Sequence, residues 1–187
     1  MMVVFALTFV AATARAGGPD VFVEALGGVH DLQVARVMSR GDTDEVHALA
    51  AAIPIFSGGV ALGIGGDPAP RRFGAMAVAH YELGSTSYGL RSHIIFLGGE
   101  VHYRLDTSTS FFFGGRAGEL IVERATEGSA ISHWGFGANA GVLIDLAQWA
   151  GGRLFFRPEL DAMIIPHTLF HFRTLLWGGS VGIGYRF

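Results

Sequence analysis

Large apolar residues alternate with small or polar ones along most of this chain. A period of two places the two sets on opposite faces of an extended strand. The last run shows it best. Leu175, Trp177, Val181, Ile183, Tyr185 and Phe187 share one parity with Gly179, while Thr174, Gly178, Ser180, Gly182, Gly184 and Arg186 hold the other, interrupted by Leu176. A second long run sets Trp134, Phe136, Ala138, Ala140, Val142, Ile144 and Leu146 against His133, Gly135, Gly137, Asn139, Gly141 and Asp145. Reading the whole chain this way predicts eight strands, at about 20–33, 53–65, 71–83, 90–105, 109–124, 133–146, 153–165 and 172–187. Their apolar faces carry no consistent charge and their opposite faces collect the ions. That division suits a closed antiparallel up-and-down β-barrel whose wall crosses a bilayer, an all-β fold with lipid outside and polar groups inside.

Two strands depart from the pattern. In the fifth, Phe111 and Phe113 share a parity with Glu119 and Glu123, so one continuous pleat would point carboxylates at lipid. A bulge at Ala117-Gly118 would shift the phase and turn Glu119 and Glu123 inward, and it is predicted here. In the first strand, Phe22 and Leu26 fall on the inner parity with Glu24. The connections sort into two kinds. Residues 65–70, Asp106-Thr107-Ser108 and 147–152 read as tight turns with Gly, Pro and Asp in turn-forming places. The opposite set comprises 34–52, 84–89, 125–132 and 166–171. Outward aromatics gather near the two predicted rims, Phe73, Tyr103, Phe156, Tyr185 and Phe187 at one and Tyr81, Trp134 and Trp177 at the other, where girdles belong.

Composition narrows the possibilities. The 187 residues suffice for one domain, and half of them are apolar, yet beyond the first dozen no run approaches the roughly 18 apolar positions of a spanning helix. A net charge of −3 gives no reason to expect a nucleic-acid partner. Cysteine is absent, which removes disulfides, thiolate metal sites and cysteine nucleophiles. All 13 basic residues are arginine, whose planar fork suits buried carboxylate pairs. Residues 1–16 read as a signal peptide, with an apolar core at Val3 to Ala12 and a small-x-small site at Ala14-Arg15-Ala16, although no positive charge precedes the core. The barrel is expected to span 17–187.

The inward parity supplies the candidate site. Acids fall there at Glu24, Glu82, Glu100, Glu119, Asp145, Glu159 and Asp161, and arginines at Arg72, Arg104, Arg116, Arg153, Arg157 and Arg186. Eight strands enclose a bore that side chains fill, so these groups are expected to form an ionic plug without an open pore. His30, His80, His93, His133, His167 and His171 map to one end, but no tight ligand spacing supports a metal centre. No cofactor is expected, and no catalytic residue stands out.

The terminal segment also resembles the assembly signal of bacterial outer-membrane proteins, polar-x-Gly-x-x-aromatic-x-aromatic, matched by Ser180, Gly182, Tyr185 and Phe187. With the alternation over 17–187, the chain resembles the small eight-stranded barrels of the OmpA/OmpX type. That resemblance implies a non-enzymatic envelope or surface-interaction protein of the cell outer membrane. It also implies outer-membrane lipid and lipopolysaccharide as surroundings, with Arg91 and His93 as outward candidates for phosphate contact, and the barrel-assembly machinery as a partner during biogenesis. Two alternatives remain. A lipid A-modifying barrel would need a lipid-facing His and Ser two apart on one strand, whereas Ser92-His93 and Ser132-His133 are adjacent and point to opposite faces. A soluble lipocalin-like carrier would need the reverse polarity, apolar inside and charged outside.

Overall fold

The computed structural model describes residues 20–36, 49–66, 72–86, 89–124, 130–166 and 172–187. The predicted signal peptide, 1–16, lies outside the described residues. Eight antiparallel strands follow in chain order: β1 (Asp20–Arg36), β2 (Leu49–Gly66), β3 (Phe73–Thr86), β4 (Leu90–Arg104), β5 (Thr109–Arg124), β6 (Ala130–Trp149), β7 (Gly152–Pro166) and β8 (Phe172–Arg186). Each pairs with its neighbours in sequence, and β1 also pairs with β8, so the sheet closes on itself without an edge. β1 and β2 run on into the segment predicted as loop, pairing as far as Arg36 and Leu49.

The register sets the barrel's shape. Backbone partners traced once around the wall run Asp20, Gly65, Met76, Glu100, Gly114, Asn139, Asp161, Gly178 and back to β1 at His30. The circuit returns ten residues above its start on β1. Such a stagger accompanies strands tilted by roughly 35–45° to the axis. The bore is correspondingly narrow.

Two turns mark what is called the lower end here. At 105–108, Asp106 accepts hydrogen bonds from the Ser108 and Thr109 amides at 2.8 and 2.7 Å. The β6–β7 hairpin turns on Ala150 and Gly151, both with positive φ (49° and 86°), the arrangement whose twist matches that of the flanking strands. One pairing shift occurs in β6, between Asp145 and Ala147.

Polarity divides inside from outside as the alternation requires. Phe96 is 2% exposed and its neighbour Leu97 is 66% exposed. Phe56, Leu62, Ile64, Phe113, Phe136, Leu160, Val181 and Ile183 also face outward and are exposed. A water-soluble monomer rarely displays contiguous apolar surface on this scale; a bilayer covers it. Aromatic pairs at the lower rim, Phe73–Tyr103 with ring centres 5.0 Å apart and Tyr185–Phe187 at 4.9 Å, border that surface.

The bulge predicted at Ala117-Gly118 is absent. β5 pairs without interruption to β4 and to β6 through those residues. Phase is therefore constant along the strand: Leu120 is buried inside, and Glu119 and Glu123 remain on the outer parity. Glu119 accepts a hydrogen bond from the outward Ser132 hydroxyl on β6, so an outer-face partner near the upper end takes the place of the phase shift.

Candidate functional site

The inward residues stack in layers that no single run of sequence displays. On β7 they read upward as Phe155, Arg157, Glu159, Asp161, Met163 and Ile165, all buried. Aromatic, ionic and aliphatic residues thus succeed one another along one strand. Around the barrel, Phe22, Ala61, Met76, Val78, Phe112, Leu143 and Phe155 form a lower apolar cluster. Leu32, Ile55, Ile94, Phe96, Leu120, Met163, Ile165 and Leu176 form an upper one. The ionic groups around Arg157 lie between them.

Arg157 is the hub of that layer. Its guanidinium donates to Glu100 and Glu159, each at 2.6 Å, and lies 3.6 Å from Glu24. It also stands over the Phe112 ring at 4.2 Å and the Phe22 ring at 5.5 Å. Arg116 donates to the other oxygen of Glu159 and stacks on Phe96 at 4.9 Å. The Asn139 amide donates to Glu100 at 2.8 Å, and His102 donates to the second Glu100 oxygen at 3.2 Å. Nearer the upper cluster, His30 Nε2 donates to Glu82 at 2.9 Å while its Nδ1 lies 3.6 Å from Asp161. His80 lies 2.9 Å from the other Glu82 oxygen, and the Ser57 hydroxyl donates to Glu82.

Five carboxylates in this layer (Glu24, Glu82, Glu100, Glu159 and Asp161) face two guanidiniums and three imidazoles. The near balance of acids and arginines visible in the sequence is therefore not how they pair. Arg104, Arg153 and Arg186 converge lower down on Asp145, at 4.0, 3.1 and 3.0 Å. His30, His80 and His102 supply further contacts to the acids above. Their inward parity was the one available signal, and it is shared by any core histidine. His30 and His80 are buried in the lumen, so they form no ring of histidines at the rim; His167 and His171 lie outside the described residues.

Two predicted members sit elsewhere. Arg72 precedes β3 and is exposed at the lower rim, its guanidinium 3.5 Å from the Tyr103 hydroxyl. With β3 beginning at Phe73, Arg72 is outside the pleat that would aim it inward. Glu119 faces outward for the reason given above.

Packing is tight around Arg116 in the bore. A cavity beside His80, Phe96, Glu100 and Arg116 measures about 10 Å³, roughly the space of one water. Small residues make the fit possible. A Cβ on Gly182 would overlap the Glu24 carboxylate, and one on Gly184 the Phe155 ring. Ser180, Gly182, Tyr185 and Phe187 thus occupy ordinary places in β8 and just beyond it: Ser180 and Gly182 inside, Tyr185 donating to the Trp149 carbonyl at the lower rim.

No protein-family model and no curated protein sequence matches the chain. Solved structures do. Neisserial surface protein A superimposes with a TM-score of 0.53 at 13% identity, covering 89% of this chain and 95% of that one. OprG from Pseudomonas aeruginosa (TM-score 0.48, 10% identity, 91% and 96% covered) and Ail of Yersinia pestis (0.46, 12%, 91% and 99%) follow at lower similarity. Strand number, closure, polarity and the first of these likenesses agree: the chain has the fold of the small eight-stranded outer-membrane β-barrels.

Proposed function

We propose that this protein is an integral outer-membrane barrel, non-enzymatic and closed to flow, that serves the envelope as a structural or surface-interaction element. The observation that carries this reading is the ionic layer sealed between two apolar ones. An ion entering the bore would have to shed water to pass Phe22, Phe112 and Phe155 and then Ile94, Leu120 and Leu176, and moving a bare charge into such surroundings costs several kcal/mol or more. The lower end would face the periplasm, and β8 carries the residues that the barrel-assembly machinery would read. Ser92 is buried while His93 faces outward, which argues against a nucleophile–base pair on the lipid side. The charged lumen likewise disfavours a carrier of apolar ligands.

Reconstitution tests this directly. The refolded chain should migrate differently on a gel before and after heating, and should add no steady conductance to a planar bilayer. A persistent ohmic conductance from the wild-type chain would overturn the closed reading. Solubility without detergent would overturn the membrane one.

A further inference from the structure

The outward face of β3–β5 near the upper end carries a group of polar side chains beside apolar ones. Arg91 lies on β4 between Ser85 of β3 and Glu123 of β5, its partners in the two ladders. Among the arginines whose side chains are described, the others each hold a polar contact: Arg72 with Tyr103, Arg104, Arg153 and Arg186 with Asp145, and Arg116 and Arg157 with the lumen carboxylates. Arg91 alone among them has none, although a carboxylate lies directly across the ladder. Its neighbour two residues on, His93, stands beside that carboxylate. The Tyr81 hydroxyl and His93 Nδ1 are hydrogen-bonded at 2.9 Å, and the opposite nitrogen, Nε2, lies 3.8 Å from Glu123. Glu123 thus stands beside His93, and the Arg91 guanidinium has no polar partner among the described residues.

We propose that this face binds the phosphate of a membrane-lipid headgroup, with Arg91 as the anion contact and His93 as a positioning residue that keeps Glu123 from quenching it. A recess of about 630 Å³, lined by Leu83, Gly84, Ser85, Arg91, His93 and Glu123, lies there, within the range that holds a small-molecule group. Its chemistry is mixed in a way that suits such a headgroup. The planar guanidinium offers paired donors to phosphate oxygens. Glu123 and Ser85 can accept from hydroxyl or ammonium groups beside the phosphate. Leu83, and below it Ile95 and Leu97, face outward where acyl chains run. A soluble phosphate would find the guanidinium but gain nothing from the apolar floor.

The site rests on the membrane reading above, and it is tested on the refolded chain in detergent by native mass spectrometry. Lipid A, phosphatidylethanolamine and an uncharged glycolipid of matched chain length are added in turn. The phosphate-bearing lipids should be retained about tenfold over the uncharged one, the size of one charge-assisted contact. Arg91→Ala should abolish the preference, and Arg72→Ala, at the opposite rim, should keep it. His93→Gln should weaken it by freeing Glu123 to pair with Arg91, and adding Glu123→Gln should restore it, a rescue that mere loss of structure would not produce. The stronger of the two phosphate lipids names the headgroup. Equal retention of all three lipids, or an unchanged preference in Arg91→Ala, would sink the site while leaving a folded membrane barrel. Full displacement of lipid by millimolar inorganic phosphate would overturn the lipid as the source. A chain soluble without detergent would remove both the site and the reading beneath it.

Discussion

Arg157 shows how much one buried residue can hold. Three carboxylates and two aromatic faces converge on its guanidinium. Removing one partner of a buried ionic group strands the others without solvent, at roughly 3–5 kcal/mol. Arg157→Met should therefore lower stability by about that amount in urea titrations of the barrel in lipid vesicles; a loss under about 1 kcal/mol, the worth of an exposed pair, would show that the network carries little. Asp106 sits at the other extreme, on an exposed turn. The Ser108 amide, and then that of Thr109, hold its carboxyl below the ordinary aspartate range. A group with a depressed folded pKa stabilises above its unfolded value and loses that contribution as pH falls through the lower folded one. Hydrogen exchange at the Thr109 amide should thus be faster in Asp106→Ala than in the wild type at neutral pH. The difference should fade in acid, well below the usual aspartate value of about 3.9.

Strand β5 shows that an element keeps its own period against local expectation. Holding one pleat from Thr109 to Arg124 leaves Glu119 outside, against lipid, but a bulge would have broken ladder bonds to both β4 and β6 and displaced Leu120 from the upper apolar cluster. Near the membrane's edge a carboxylate facing lipid costs little, about 0–1 kcal/mol, and less than it would at the midplane. Ser132 also gives it a hydrogen bond. The two neighbouring residues should then respond in opposite senses. Glu119→Leu should be neutral or stabilising by up to about 1 kcal/mol, while Leu120→Glu should destabilise by several kcal/mol by placing an unpaired carboxylate among aliphatic side chains. Urea midpoints of the two variants measure this; equal losses from both would mean that β5 does not keep one phase.

At the scale of the whole molecule, closure makes the site. A stagger of ten residues around the wall brings Glu24 of β1, Glu100 of β4 and Glu159 of β7 to one guanidinium on β7. It also stacks aromatic rings below them and aliphatic side chains above. The proposed absence of bilayer conductance rests on that order, with apolar side chains below and above the ions. The same closure explains the run of inward glycines: where eight strands curve tightly, Glu24 and Phe155 fit only because Gly182 and Gly184 bring no side chain to the same space.

The one-dimensional pattern determined the number of strands, their faces and most of their limits. Period-two alternation is local, and lipid outside with a filled bore inside makes it nearly unbroken in β2, β3, β4, β6 and β8. It also placed Glu24, Glu82, Glu100, Arg116, Arg157, Glu159 and Asp161 on the inner face, since parity alone decides that. Partners were not legible. Height along the axis depends on the stagger between strands, which no single segment encodes, so parity put Arg104, Arg153 and Arg186 in one undivided set with the other inward ions, and only the register grouped them around Asp145. His30, His80 and His102 stand beside the central acids instead. Tertiary structure alone decided it, because charge pairing in a barrel is a property of its circumference while the chain is read along its strands.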